Sequence, residues 1–567
     1  MKKGWILLLL GLPSLLQARP NLLSYEWKLR VGDDAAWASP DYPDSGWREY
    51  NLGISSEGQG LSGDETAWLK QDFRALAAMK PAGLRCDLHI QAEEVQLYLN
   101  GRALPLQMDN RQAASVLLPE ALVRWGGLNH LALRIKHHAW TGGEASDHLE
   151  IRPESGPAPS ASVDAAFPRT DHVFNRGEDI RVPVEVRPEG CDHLDGRLRL
   201  WVRNEFHRVV GVQECDYRAD KDAKPLSFHL NTLPAGFYQM VLRFSAPGVE
   251  CQRVRCFAVD PTGIQCPPSP PADLATFWSR AKAELAAVPP EFKMVREEAL
   301  CTARHAVYTA SMKSVDGVTL RAWYVVPVKA GPHPALLHVP GYSVAMRPEW
   351  FMGDDDLIHL GLDIRGHGRS ADVVNPGFGT LGFVGKGILS PETYIYRGAY
   401  LDCLRGLDFL CSRPEVDAKR IAVEGGSQGG GLSLTTAALA PSQIRACATG
   451  VPFLGDFEDH VKVRSIYAGE MEQYLTVEKK GTWSDLRHTM SYVNTSNLAE
   501  RIQCPVLMGS GLLDDDCPAH INFAVFNNLK CPREYIIYPD SPHLIGEAWN
   551  RDYRRWLRHQ LGLMTQP

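Results

Sequence analysis

The chain has 567 residues, 44% of them hydrophobic and 22% charged, the composition of a soluble globular protein long enough for two to four domains. Its formal net charge of −7 gives no electrostatic reason to bind nucleic acid or an anionic membrane, and no basic cluster, phosphate-binding glycine loop or repeating period is present. Its thirteen cysteines, an odd count with no Cys-x-x-Cys and no Cys/His ligand spacing, leave at least one thiol outside any intrachain pair and point to no metal.

Lys2 and Lys3 precede the apolar run Trp5–Leu12, followed by Pro13 and the small-residue end Leu16-Gln17-Ala18. This is the pattern of a signal peptide, residues 1–18, cleaved after Ala18; the run is too short to span a bilayer. No cysteine follows the cleavage point, so a lipoprotein is not indicated. Export to the periplasm or the extracellular space is expected.

Residues 19–155 alternate short apolar strands with turns, as in Trp68–Phe73, Val95–Leu99 ahead of Asn100-Gly101, and Leu128–Ile135. Period-two alternation punctuated by Asn-Gly and Gly-Gly predicts an antiparallel β-sandwich. The segments Trp27-Lys28-Leu29, Asp33–Trp37, Asp44–Trp47 and Val95–Gly101 resemble the jelly-roll, galactose-binding-like module that opens many β-glycosidases. In that resemblance the tryptophans are mostly core rather than sugar platforms. A linker follows at Ser155–Ser160. Residues 161–260 again read as strands, Ile180–Val186, Leu198–Val202, Tyr238–Phe244 and Val254–Val259, of a length that suits an immunoglobulin-like sandwich acting as spacer or brace.

The proline-rich Cys266–Pro271 marks a second, stiff boundary. Residues 261–567 then alternate expected strands (Ala335–Val339, Leu357–Leu362, Ile421–Val423, Val506–Met508, Tyr535–Tyr538) with expected helices (Asp273–Leu285, Tyr396–Leu410, Gln428–Leu439, Ala519–Asn528, Glu547–Leu561). That alternation predicts a mostly parallel, doubly wound α/β sheet. Cys403 and Cys411 share one of these helices and stand about 12 Å apart, beyond disulfide reach; most cysteines read as buried core thiols.

One stretch carries chemistry. Ile421-Ala422-Val423 is a buried-strand run, Gly425-Gly426-Ser427-Gln428-Gly429 is a sharp turn, and an Ala- and Leu-rich helix follows. A serine with glycines at minus two and plus two between strand and helix is a nucleophile elbow, and it points to an α/β-hydrolase. The hydroxyl needs a base and the base an orienting carboxylate, in the order Ser, acid, His. The loop after Val506–Met508 holds Asp514, Asp515 and Asp516, and spacing leaves the choice among them open. The base is expected at His543, in a late loop before the last helix; His488 and His520 lie in helical segments. The oxyanion hole is expected from the backbone N–H of Gln428, just after the nucleophile, and of Tyr342, in the loop His338–Tyr342.

Further stretches extend the pattern: Arg365-Gly366-His367-Gly368, Gly387-Ile388-Leu389, Tyr394–Arg397 with Asp402, Gly425–Gly431, Val451–Leu454, and Gly511–Asp514 with Cys517-Pro518. On these, residues 273–567 resemble carbohydrate esterase family seven, the acetyl xylan esterases and cephalosporin C deacetylases. The resemblance implies a serine esterase that removes acetyl groups from O-acetylated oligo- or polysaccharides without a cofactor, and the leader pattern makes it a secreted one. It also implies Asp514 as the triad acid and, in many members, a ring-like homo-oligomer. Two positions depart from the family pattern: His367 replaces a glutamine, and Leu544 follows His543 where the family has a glutamate. The alternatives are a serine peptidase or general carboxylesterase on the same fold, and a glycan-binding protein with an inactive hydrolase domain.

Overall fold

The computed structural model describes residues 21–563 apart from 53–60, 62–64, 76, 91, 110–112, 139–146, 155–159, 221–224, 231–232, 247–248, 373, 375–381, 464, 466–470, 472–473 and 476–480. The expected signal peptide and most of the first linker lie outside the described residues. No helix among them is long and apolar enough to cross a membrane.

The first β region pairs a six-stranded sheet with a three-stranded one. The larger runs in the order Arg48–Asn51, Glu26–Val31, Thr66–Arg74, Leu128–His138, Ala92–Leu99, Arg102–Ala103; the smaller is Ala113–Leu117, Leu84–His89, His148–Pro153. Alternate residues of both sheets, such as Leu97, Leu99, Leu131 and Leu133 against Leu84, Cys86 and Leu88, fill one core. Asn100 (φ 50°) and Gly101 (φ 83°) make the tight reversal after Ala92–Leu99. Trp27, Trp37, Trp47 and Trp68 are all buried. Trp37, Trp47 and Trp68 form their own cluster, with the Lys70 ammonium 4.9 Å from the Trp47 ring centroid.

The second β region stacks Ser160–Ala165, Ile180–Glu189 and Leu226–Leu230 against a five-stranded sheet ordered Val173–Phe174, Val249–Val259, Gly236–Ala246, His193–Asn204, Val209–Asp220. Ile180, Val182, Val184 and Val186 point inward at strict two-residue spacing. It touches both neighbours. Arg243 Nη1 lies 2.7 Å from Glu26 Oε1 in the first region. Toward the α/β body, the Phe237 ring meets Phe523 at 5.3 Å, Arg255 Nη1 reaches Asp540 Oδ1 at 3.3 Å, and His207 Nε2 reaches the Val463 carbonyl at 2.9 Å.

The α/β body is built on a nine-stranded sheet ordered Lys293–Arg296, His305–Lys313, Thr319–Pro327, Ile358–Asp363, His333–His338, Val416–Gly426, Ala446–Gly450, Val506–Gly511, Arg533–Tyr538. The first four are joined antiparallel, the last six parallel. Helices Leu274–Ala287, Ile395–Cys411, Gln428–Leu439, Ala519–Phe526 and Gly546–Gln560 match the expected ones to within a few residues. This is an α/β-hydrolase fold preceded by all-β structure. The antiparallel edge and the strand Ala446–Gly450 were not among the expected strands. Ala-Cys-Ala-Thr-Gly carries little strand signal; small residues stand there because a Cβ at 450 would lie 2.8 Å from Trp549 Nε1. All thirteen cysteines are free thiols, and Cys403 and Cys411 share the helix Ile395–Cys411.

Candidate active site

Ser427 stands at the junction of strand Val416–Gly426 and helix Gln428–Leu439 with φ 58° and ψ −121°. A non-glycine residue holds that conformation only when its surroundings impose it. Here the Ser427 N–H donates to the Gly450 carbonyl at 2.9 Å, and the Phe453 N–H donates to the Ser427 carbonyl at 2.9 Å. The flanking glycines answer to close approach rather than to φ. A Cβ at 425 would lie 2.6 Å from the Gly429 carbonyl carbon, one at 429 would lie 2.4 Å from Val339 O, and one at 431 would lie 2.2 Å from Phe453 O.

The carboxylate and imidazole meet at the C-terminal end of the same sheet. Strand Val506–Gly511 runs into the loop of three aspartates, and Arg533–Tyr538 runs into the loop of His543. The loops are tied together: the Leu512 N–H donates to Tyr538 O at 3.2 Å and the Leu513 N–H to Ser541 O at 3.1 Å. Both Asp514 oxygens lie 3.0 Å from His543 Nδ1. Asp516 Oδ2 stands 4.0 Å from His543 Nε2, and Asp515, like Asp514, lines a small cavity shared with Arg203 of the second β region. Burial pulls the His543 pKa down, but the Asp514 charge and hydrogen bond, with the Asp516 charge, outweigh it and raise it to about 9. Burial likewise pushes Asp516 up.

Cys517 is buried in the acid loop. Its N–H donates to Asp514 Oδ1 at 2.8 Å. Burial raises its thiol well above the ordinary range, and a hydrogen bond with the Ser427 hydroxyl opposes that shift. Asp514 and His543 are therefore in direct contact, and the Ser427 side chain is near enough to Cys517 of the acid loop to act on its thiol. Among the described residues no hydrogen bond links Ser427 to His543, as is common before substrate arrives. His488 and His520 lie on helices, and His520 bonds to Asp459 and Glu205 instead.

The loop after strand His333–His338 lies against the start of the nucleophile helix. A Cβ at Gly341 would be 3.5 Å from Gly426 O, and Gln428 Nε2 donates to Pro340 O at 3.2 Å. The Gln428 side chain is held from three sides. Tyr396 Oη donates to its Oε1 at 2.7 Å, and its Nε2 also donates to His367 Nε2 at 2.9 Å. His367 is fully buried, with its ring edge-on to Phe383 at 4.8 Å. Burial lowers its pKa to about 4, so it is neutral and can accept at Nε2 while Nδ1 faces the Arg365 carbonyl at 3.3 Å. The histidine that departs from the family pattern thus meets the side chain of an expected oxyanion residue. Leu544, the other departure, points into solvent at 83% exposure.

Arg365 fixes the same wall. Its Nε and Nη2 bind the two oxygens of Asp402 at 2.8 and 2.9 Å, and its N–H adds a third bond at 3.0 Å. Asp402 also accepts from Ser314 Oγ at 2.7 Å. Roles for Cys517, Tyr396 and His367 were not readable in the sequence, although all three lie inside the stretches that carry the resemblance.

A family model described as acetyl xylan esterase (AXE1) matches residues 266–560. The chain belongs to the acetyl xylan esterase family. The acetyl esterase Axe7A of Xylanibacter ruminicola is 28% identical over 306 residues, 51% of this chain and 67% of that relative. The acetyl xylan esterase of Paenibacillus sp. R4 is 31% identical, with a TM-score of 0.50 over 53% of this chain and 98% of its own. Acetyl xylan esterase 1 of Thermoanaerobacterium sp. JW/SL YS485 is 28% identical, with a TM-score of 0.47 over 52% of this chain and 95% of its own. This acetyl xylan esterase family member is a carboxylic ester hydrolase, and its β regions lie outside the family match.

Proposed function

We propose that this chain is an exported esterase that removes acetyl groups from O-acetylated carbohydrate through an acyl-enzyme on Ser427. His543 takes the Ser427 proton as the hydroxyl attacks the acetyl carbonyl. Asp514 holds the imidazole tautomer and stabilises the imidazolium. The N–H groups of Tyr342 and Gln428 bind the tetrahedral oxyanion, a contact whose loss costs ~3 kcal/mol, about two orders of magnitude in rate. Protonated His543 returns its proton to the departing sugar oxygen, and water repeats the sequence to release acetate. The observation that carries this reading is Ser427 held at positive φ on the strand–helix turn, together with the Asp514–His543 contact, in a chain of this family.

Export rests on the 1–18 leader pattern. The β regions, read as units 19–155 and 161–260 ahead of the esterase unit 261–567, are proposed to brace that unit. The test is acetate release from a panel of acetylated glycans, with p-nitrophenyl acetate as a general ester and aminoacyl-arylamides and long-chain esters as rival substrates. Wild type is expected to prefer acetylated sugars, and folded Ser427→Ala to be inactive. Equal rates for the two proteins would refute the site; a preference for arylamides or long-chain esters would refute the substrate class.

A further inference from the structure

We propose that Cys266, Asp459 and His520 form a zinc-type divalent-cation site where the second β region meets the α/β body. The three come from distant segments: the proline-rich linker, helix Phe457–Lys462 and helix Ala519–Phe526. Their donor atoms converge. Asp459 Oδ2 lies 2.8 Å from His520 Nε2 and 2.9 Å from Cys266 Sγ, and Sγ lies 3.6 Å from Nε2. A tetrahedral zinc ion with Zn–S about 2.3 Å and Zn–N or Zn–O about 2.0–2.1 Å holds its ligand atoms roughly 3.3–3.6 Å apart. The sulfur–nitrogen separation already fits, and the carboxylate oxygen needs to withdraw by about half an ångström to admit the ion.

The surroundings are those of a prepared ligand set. His520 and Asp459 are both buried. Nδ1 of His520 faces Glu205 Oε1 at 3.2 Å, the carboxylate–imidazole support that directs the other ring nitrogen toward a metal. Glu205 comes from the reversal between strands His193–Asn204 and Val209–Asp220, and the neighbouring Phe206 packs its ring edge-on to His520 at 5.4 Å. Lys462 engages the other oxygen of Asp459, Oδ1, leaving Oδ2 for the ion. Asp456 is turned away, capping its helix through the N–H groups of Glu458 and Asp459. A cleft of about 650 Å³, lined by Cys266, Asp456, Asp459 and Lys462, provides an entry path and room for a water in the fourth position. The site touches no reacting atom. It would clip the linker and, through Glu205, the β region onto the helix that follows the Asp514 loop.

The full-length protein, stripped with a chelator under reducing conditions, is titrated with Zn²⁺ and separately with Co²⁺. The expected result is one tightly held Zn²⁺ per chain, a higher melting temperature on loading, and a four-coordinate Co²⁺ spectrum with a thiolate-to-cobalt charge-transfer band. Cys266→Ser should fold, keep the esterase activity of the stripped wild type, and lose that band. Glu205→Gln should weaken Zn²⁺ binding about 10–100-fold. No binding to wild type at roughly micromolar free Zn²⁺ would overturn the proposal. So would a charge-transfer band unchanged in Cys266→Ser, which would place the ion on another thiol.

Discussion

Replacing Asp514 with asparagine keeps the shape of the side chain and removes its charge. In the wild type, that charge and its hydrogen bond, with help from Asp516, raise His543 to about 9 against the pull of burial. The gap from the ordinary 6.5 corresponds to about 3 kcal/mol of preference for the imidazolium. Only the neutral ring accepts the Ser427 proton, so kcat/KM should climb about tenfold per pH unit below pH 9 and level off above it. In Asp514→Asn the burial remains and the main support is gone, so the acid limb should move to about 6.5 or lower. The plateau should fall by two to four orders of magnitude, roughly, because the tautomer and the imidazolium are no longer held. The deficit of the variant should therefore be largest at alkaline pH and shrink toward neutrality. The folded-state pKa is raised, so the same contact contributes stability in full below about pH 6.5 and loses it as pH rises through about 9; the variant should flatten that slope. Profiles of kcat/KM on p-nitrophenyl acetate, with denaturant unfolding at matched pH, read both effects. An acid limb that stays within about half a pH unit of wild type would refute the assignment of Asp514 as the group that sets His543.

Other substitutions test the walls of the site. His367→Ala should lower kcat about tenfold with KM nearly unchanged, by releasing Gln428, and His367→Gln should restore most of it; equal kcat in all three proteins would show that the contact does not position the oxyanion donor. Asp402→Ala leaves the buried Arg365 guanidinium with only the more exposed Asp316 as an ion partner and should cost about 3 kcal/mol in denaturant unfolding, a loss that an exposed pair would not produce. Gly429→Ala forces a Cβ to 2.4 Å from Val339 O and should abolish activity or folding, whereas Gly353→Ala, with open space around it, should be silent by both measures. Residues 261–567 alone would expose the face of Phe523 that Phe237 covers, so that fragment should melt below the full chain; an unchanged melting temperature would show the β regions to be passive.

The elbow was legible because it is local. A strand, a turn crowded with glycines and a helix lie within twenty consecutive residues, and Gly425, Gly429, Gly430 and Gly431 each answer to a backbone atom nearby in the fold. The five expected strands and five expected helices of the α/β body were readable for the same reason, since each shows its own apolar run or periodicity. The strand Ala446–Gly450 was not, because its small residues are set by what packs on them, the Trp549 ring and the nucleophile helix. Spacing could not separate three consecutive aspartates. The fold of their loop turns Asp514 to His543, Asp515 toward Arg203, and leaves Asp516 4.0 Å from the far ring nitrogen. His367 reads as a departure from a motif until the fold sets it against Gln428. Cys266, Asp459 and His520 have no spacing to read, since their donor atoms meet only where linker, helix and β region are packed together. Local chemistry is written in neighbouring residues; convergence of distant side chains depends on backbone paths that only the assembled sheet defines.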